Sequence, residues 1–273
     1  MRICITRTTP TYSGAHAGVF VQWDVVDPPV GVALEFTLHR SGNPAGPFEV
    51  VMDRITDVHY QDQHVPSYAY EQTLSHTSIA REIYYRVEAN GVISEPTPAG
   101  DGLEPRYRRI RHKIQRDIGL SLRVGDGIPF TVFSRKHWGL RCVECFDKLT
   151  KQVLNARCSS CYGTGFIGGY DSGYNLLGRK GTTNVQTNVG PQGKVEVNQL
   201  QVTLLDYPRL VVDDLLVETR QNRRYVVKVV TRTEIRGVPV HQQVICSELA
   251  RDSVEYLLPV PDTYPQERAY VRK

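Results

Sequence analysis

The 273 residues predict a mainly β chain. It reads as an N-terminal β-sandwich, a basic linker helix, and a small β-barrel-like module that carries an inserted four-cysteine ribbon. Three observations carry this reading. Short runs of alternating apolar and polar residues, cut by Gly, Pro and Asn, recur through most of the chain. One stretch, 104–119, has helical periodicity and dense positive charge. Two Cys-x-x-Cys pairs, Cys142-Val143-Glu144-Cys145 and Cys158-Ser159-Ser160-Cys161, stand twelve residues apart.

Residues 1–98 form the first module. Val19 to Asp24 reads as a strand ended by Asp27-Pro28-Pro29, and Leu34 to Arg40 alternates as a half-buried strand does. The turn cluster 41–47 leads into Phe48 to Val51. Glu82 to Ala89 is a further strand, closed by Asn90-Gly91, a pair suited to the type I′ turn between antiparallel strands. The stretch from Gln61 to Ser78 is a long polar loop with His64, Tyr68, Tyr70 and His76. It is either a solvated loop or a protein contact surface.

Three of these segments resemble the fibronectin type III domain. Val21-Gln22-Trp23 matches that family's core-tryptophan strand. Phe36 to Ser41, followed by Gly46-Pro47-Phe48, is similar to its Tyr-x-Val-x-Arg-Ser strand, and Tyr84 to Ala89 to its late tyrosine strand. The resemblance implies a β-sandwich with a role in adhesion or assembly and assigns no partner.

Residues 99–120 follow as linker and helix. Pro96, Pro98, Gly100 and Gly102 mark the linker, Pro105 suits a first helical turn, and Gly119 a stop. Tyr107, Ile110, Ile114 and Ile118 make one apolar stripe. Six cations fall within eleven residues: Arg106, Arg108, Arg109, Arg111, Lys113 and Arg116. They are candidate contacts for the acids of a partner or for packaged double-stranded DNA. The whole-chain charge of +4 is too small to decide between these.

The second module spans 121–256, with the ribbon at 140–170 and an extended arm at 171–193. Each Cys-x-x-Cys turn presents two thiolates, and two such turns supply the four-sulfur tetrahedron that Zn²⁺ prefers. Four sulfurs close the shell, so Cys142, Cys145, Cys158 and Cys161 point to structural rather than catalytic metal. Two disulfides or a redox dithiol are the competing readings, and a thiolate cage also accepts iron. His137 lies near but is surplus to a full shell. Between the pairs, 146–156 suits a short helix or hairpin with Leu149, Val153 and Leu154 as apolar contacts. Cys4 and Cys246 read as small buried residues. Strands resume over Val195 to Leu204, Leu210 to Val217, Arg224 to Ile235 and Val238 to Leu249, with a turn at Arg236-Gly237. The proline-bearing tail 257–273 reads as extended.

Asp214 to Val217, Asn222 to Val227 and Gln242 to Ile245 are together similar to the small β-barrel of tailed-phage head-completion proteins. That resemblance implies a non-enzymatic virion protein, assembled in the host cytoplasm, at the neck between head and tail. It implies a homo-oligomeric ring with portal, adaptor or tail proteins as neighbours, packaged DNA passing through, and neither a membrane nor a small-molecule substrate as partner. A baseplate or tail position is the alternative, and a zinc-ribbon DNA-binding protein is the alternative of another class. Cys158 to Gly165 is also similar to half a zinc repeat of DnaJ-type chaperones, but the four repeats and the His-Pro-Asp of that family are missing. No phosphate loop, nucleophile elbow or His-Glu-x-x-His is present. No signal peptide or transmembrane helix is expected.

Overall fold

The structure, a computed structural model, describes residues 1–13, 16–63, 83–99, 105–190 and 193–261. The first module is two antiparallel sheets face to face. One holds β1 (Arg2–Ser13), β2 (His16–Val26) and β5 (His59–Asp62) in the order β1-β2-β5. The other holds β3 (Phe36–Ser41), β4 (Glu49–Ile55), β6 (Tyr84–Ala89) and β7 (Val92–Ile93) in the order β4-β3-β6-β7, with β8 (Thr97–Pro98) also on β6. Alternate residues of each strand meet between the sheets: Val21 and Trp23 from β2, Phe36 and Leu38 from β3, Tyr85 and Val87 from β6. The Trp23 and Phe36 rings meet edge to face at 5.4 Å. Asn90 and Gly91 both take positive φ, 50° and 75°, as the type I′ turn between β6 and β7 requires.

β2 is buried on both faces, which explains why Val19-Phe20-Val21 is continuously apolar. Phe20 points away from the sandwich core and packs on Tyr174 and Tyr207 of the second module, at 4.9 and 5.7 Å.

The helix α1 (Pro105–Val124) leads into a closed barrel. Its strands are β9 (Gly127–Phe133), β12 (Tyr174–Gly190), β13 (Gly193–Leu205), β14 (Leu215–Glu218), β15 (Arg223–Ile235) and β16 (Val238–Glu248). They run in the order β12-β13-β16-β15-β14-β9, and β9 returns to β12. Closure pairs every strand on both sides and leaves no edge around the ring. Phe130, Val132, Val202, Leu204, Val227 and Val244 fill the interior. The ribbon, with β10 (Phe146–Asp147) and β11 (Gln152–Val153), is the insertion between β9 and β12.

Several expectations need correction. The extended arm expected at 171–193 is built into the barrel: from Tyr174 it is β12, paired with β9 and then with β13. Backbone pairing decides this where the Gly- and Asn-rich sequence gives a weak signal. Beyond Gln199, where β13 leaves β16, the β12–β13 hairpin continues as a two-stranded ribbon to Gly190↔Gly193. The helix runs through Gly119 to Val124, because Leu122 is buried and outweighs the roughly 1 kcal/mol propensity loss of one glycine. The strand expected from Leu210 begins only at Leu215, since Asp213 takes φ of 72° and the Asp214 carboxylate folds back to accept from the Val211 N–H at 2.7 Å. Leu149 and Leu154 are exposed at 93% and 73% and pack on nothing in the ribbon's interior. The strands β1 and β5 had no forecast. The loop residues His64, Tyr68, Tyr70 and His76, and the tail from 262, lie outside the described residues.

Candidate metal centre

The four ribbon cysteines converge. Their Sγ atoms all lie within 4.8 Å of one another, and all four residues are buried. Cys142 and Cys158 Sγ are 3.7 Å apart, and Cys145 and Cys161 Sγ 3.1 Å. Both separations exceed a disulfide bond, about 2.05 Å, and all the cysteines are free thiols. A tetrahedron of sulfurs about 2.3 Å from a Zn²⁺-sized ion has edges near 3.8 Å; the Cys142–Cys158 pair at 3.7 Å matches this, and the Cys145–Cys161 pair at 3.1 Å is closer than it. Burial and the adjacent sulfurs push the Cys145 thiol well above its ordinary range. Cys142 shifts down, because N–H groups of Glu144 and Cys145 outweigh its burial. Ionised together in a dry pocket, the four sulfurs would need a cation between them. The cluster is compatible with a metal site.

Local backbone builds this cage. The Cys142 carbonyl accepts from the Phe146 N–H at 3.1 Å, so the first pair sits on a tight turn, and the Cys161 carbonyl accepts from the Thr164 N–H at 2.9 Å, so the second pair leads directly into one. The Cys142 N–H donates to the Gly165 carbonyl at 2.9 Å, which ties one turn to the other. Gly163 and Gly165 take φ of 73° and 81°. A Cβ on Gly163 would sit 2.6 Å from the Ala156 carbonyl oxygen, and one on Gly165 would sit 2.8 Å from Val153. The hairpin β10–β11 lies between the pairs, and Val153 packs on the sulfurs. The Arg141 guanidinium lies between the Phe146 and Phe166 rings, 4.4 and 4.1 Å from their centroids. His137 is exposed and outside the cluster. Cys246 is buried in the barrel as expected, whereas Cys4 is only partly buried.

Neither a protein-family model nor a curated protein matches this sequence.

The basic helix divides. Arg111 is buried and cannot be a surface contact. Its guanidinium donates to Asp206 at 2.8 Å, to Thr9 Oγ1 at 3.0 Å and to the Pro239 carbonyl at 3.2 Å. Gln115 donates to the same Asp206 carboxylate at 2.6 Å. Arg106, Lys113 and Arg116 are exposed, and Arg116 lies 3.5 Å from Asp117. Arg108 and Arg109 lie outside the residues whose side chains are described. The predicted apolar stripe holds in part: Tyr107, Ile114 and Ile118 are half-buried, the last two beside Leu122 and the barrel residues Arg179, Thr203 and His241, whereas Ile110 is 42% exposed and Arg111 and Gln115 are buried.

A second feature had no sequence signal. A cavity of about 640 Å³ lies where sandwich, ribbon and barrel meet, lined in part by Trp23, Trp138, Arg135, Lys136, Asp171 and Asp214. Burial, with the charge of Asp57, raises the Asp171 carboxyl to about 7. Burial raises Asp214 to about 7 as well, against N–H bonds from Val211 and Arg135. These residues come from segments far apart in sequence.

Proposed function

We propose that this chain is a non-enzymatic structural protein of a tailed-phage virion. It forms a homo-oligomeric ring at the neck, joins portal to tail, and borders the DNA path. The observation that carries the reading is the closed barrel whose strands β14, β15 and β16 are built from the segments similar to head-completion proteins. Zn²⁺ is the metal of the four-cysteine cluster, on the grounds of an all-sulfur donor set whose four Sγ atoms lie within 4.8 Å of one another. The metal ties the two turns of the ribbon together and takes no part in chemistry, since four thiolates leave no position for a substrate. The exposed Arg106, Lys113 and Arg116 supply positive charge for acidic protein surface or DNA.

Native mass and metal content, read on one purified sample, test the proposal. The expected result is a closed ring with one zinc per chain. A zinc-bearing monomer that binds free duplex DNA, with affinity falling steeply as salt rises, would replace it with the DNA-binding reading.

A further inference from the structure

We infer that copies of this chain associate head to tail, the exposed face of α1 on one copy meeting the β4 margin of the sandwich on the next. This deepens the ring reading above and rests on it. The chain is electrically divided. Residues 1–98 carry six Lys and Arg against eleven Asp and Glu, whereas Pro105–Val124 carries seven cations against one acid. On the outer face of α1, Arg106, Ile110, Lys113, Asp117, Leu120 and Val124 recur at spacings of four and three, and all are exposed. Three of the six are apolar, with Ile110, Leu120 and Val124 exposed at 42%, 50% and 86%.

The β4 margin sets two acids, Glu49 and Asp53, beside one exposed cation, Arg54, and has a similar apolar content. β4 ends the order of its sheet. Val50 and Met52 are exposed at 60% and 38%, beside exposed Glu49, Asp53 and Arg54. Glu49 also accepts from Arg40 at 2.6 Å, so it is held in place at the surface. The ladder between β3 and β4 is irregular, with shifts between Phe36 and Leu38 and between Leu38 and His39, and Arg54 takes φ of 54°. An edge interrupted in this way is a poor template for another strand. It leaves a side-chain surface, which suits a helix. Apolar residues beside charge on both faces match the anatomy of a protein interface rather than a phosphate track.

The two faces point different ways. α1 is tied to the β1 and β8 side: Arg111 bonds Thr9, and Thr8 Oγ1 donates to the Pro98 carbonyl at 2.7 Å. β4 lies across the sheet, with β3 and β6 between it and β7, a width of about 14 Å at the usual strand spacing. Unlike surfaces on different sides of one molecule make a heterologous contact, which gives a ring where the rotation between copies closes and an open filament where it does not.

Charge reversal tests this by native mass and sedimentation. Lys113→Glu with Arg116→Glu, and separately Glu49→Lys with Asp53→Lys, are each expected to weaken association at least tenfold and yield monomer. Mixing the two variants, or placing all four changes in one chain, is expected to restore the ring. An intact ring in both single-surface variants overturns the inference and leaves the ring reading standing. A wild-type chain that stays monomeric at all concentrations removes the ring reading and this contact together. An intact ring in Lys113→Glu with Arg116→Glu, with wild-type duplex binding lost, assigns the helix face to DNA and also overturns it. Melting curves check folding. Should a reversal unfold the chain, Leu120→Ser, at a half-exposed position, gives the same readout: monomer supports the contact and an intact ring refutes it.

Discussion

Arg111 shows how far a single residue can depart from its sequence context. Its neighbours in α1 make it one cation of a surface run, yet its partner Asp206 lies 95 residues away and is fully buried. Removing one member of a buried ion pair leaves the other charge uncompensated and costs about 3–5 kcal/mol. Arg111→Ala should therefore lower unfolding stability by several kcal/mol in urea titration, whereas Lys113→Ala should stay within about 0.5 kcal/mol of wild type. Asp171 makes the opposite case, a carboxyl whose fold disfavours its charge. Its folded pKa near 7 lies above the unfolded carboxylate value, so the folded state holds a proton that the unfolded state releases. Its contribution is fully present at low pH, is lost as pH rises from about 4 to about 7, and does not return above that. Asp171→Asn should match wild type near pH 4 and exceed it above pH 7, by at most about 4 kcal/mol; thermal melts across pH measure this. The cysteines were legible because their ligand spacing is local. Arg111, Asp171 and Asp214 were not, because their environments are assembled from distant strands.

At the scale of elements, the ribbon has little apolar interior of its own: Leu149 and Leu154 face solvent, and the four cysteines with Val153 are its packed centre. With a metal in the cluster, its order would therefore depend on that ion. Cys158→Ser, or a strong chelator, should release the metal and unfold 140–170 while the sandwich and barrel keep their structure; hydrogen exchange resolves the three regions. A ribbon that keeps its metal without Cys158 would break the four-sulfur assignment. The joint between α1 and β9 is equally specific. A Cβ on Gly127 would lie 1.8 Å from the Leu122 carbonyl oxygen, a clash with backbone that no rotamer relieves. Gly127→Ala should cost about 1–3 kcal/mol of stability by denaturant titration. Several of the longer strands were readable from alternation, β13, β15 and β16 among them. The far half of β12 was not, since its Gly, Thr and Asn residues follow no hydrophobic period, and the long-range pairing that makes it a strand is invisible locally.

The whole molecule turns on the joint between sandwich and barrel. Phe20, fully buried, stacks on His59 at 5.6 Å and meets Tyr174 and Tyr207 across the boundary. Burial holds His59 below its ordinary pKa, so this cluster stays uncharged at neutral pH. Beside it the Gln22 side chain bonds the Arg209 backbone twice: its carbonyl accepts from the N–H at 2.7 Å, and its amide donates to the carbonyl at 3.3 Å. Asp206, at the start of the same loop, receives Arg111 and lies 3.9 Å from Arg7 of β1. A chain fastened in this way should melt as one cooperative unit. Phe20→Ala removes a large buried ring from the joint, at a cost of about 3–5 kcal/mol. By differential scanning calorimetry, the single wild-type transition should split in two, the sandwich melting first because its β2 loses the support on its outer face. A single transition at an unchanged midpoint would mean that the joint does not couple the modules. The head-to-tail contact inferred above would depend on this coupling, because its α1 half would bear on the barrel and its β4 half on the sandwich. Loosening Phe20 should therefore weaken ring formation even though the residue lies in neither contact, and native mass of the same variant measures that effect.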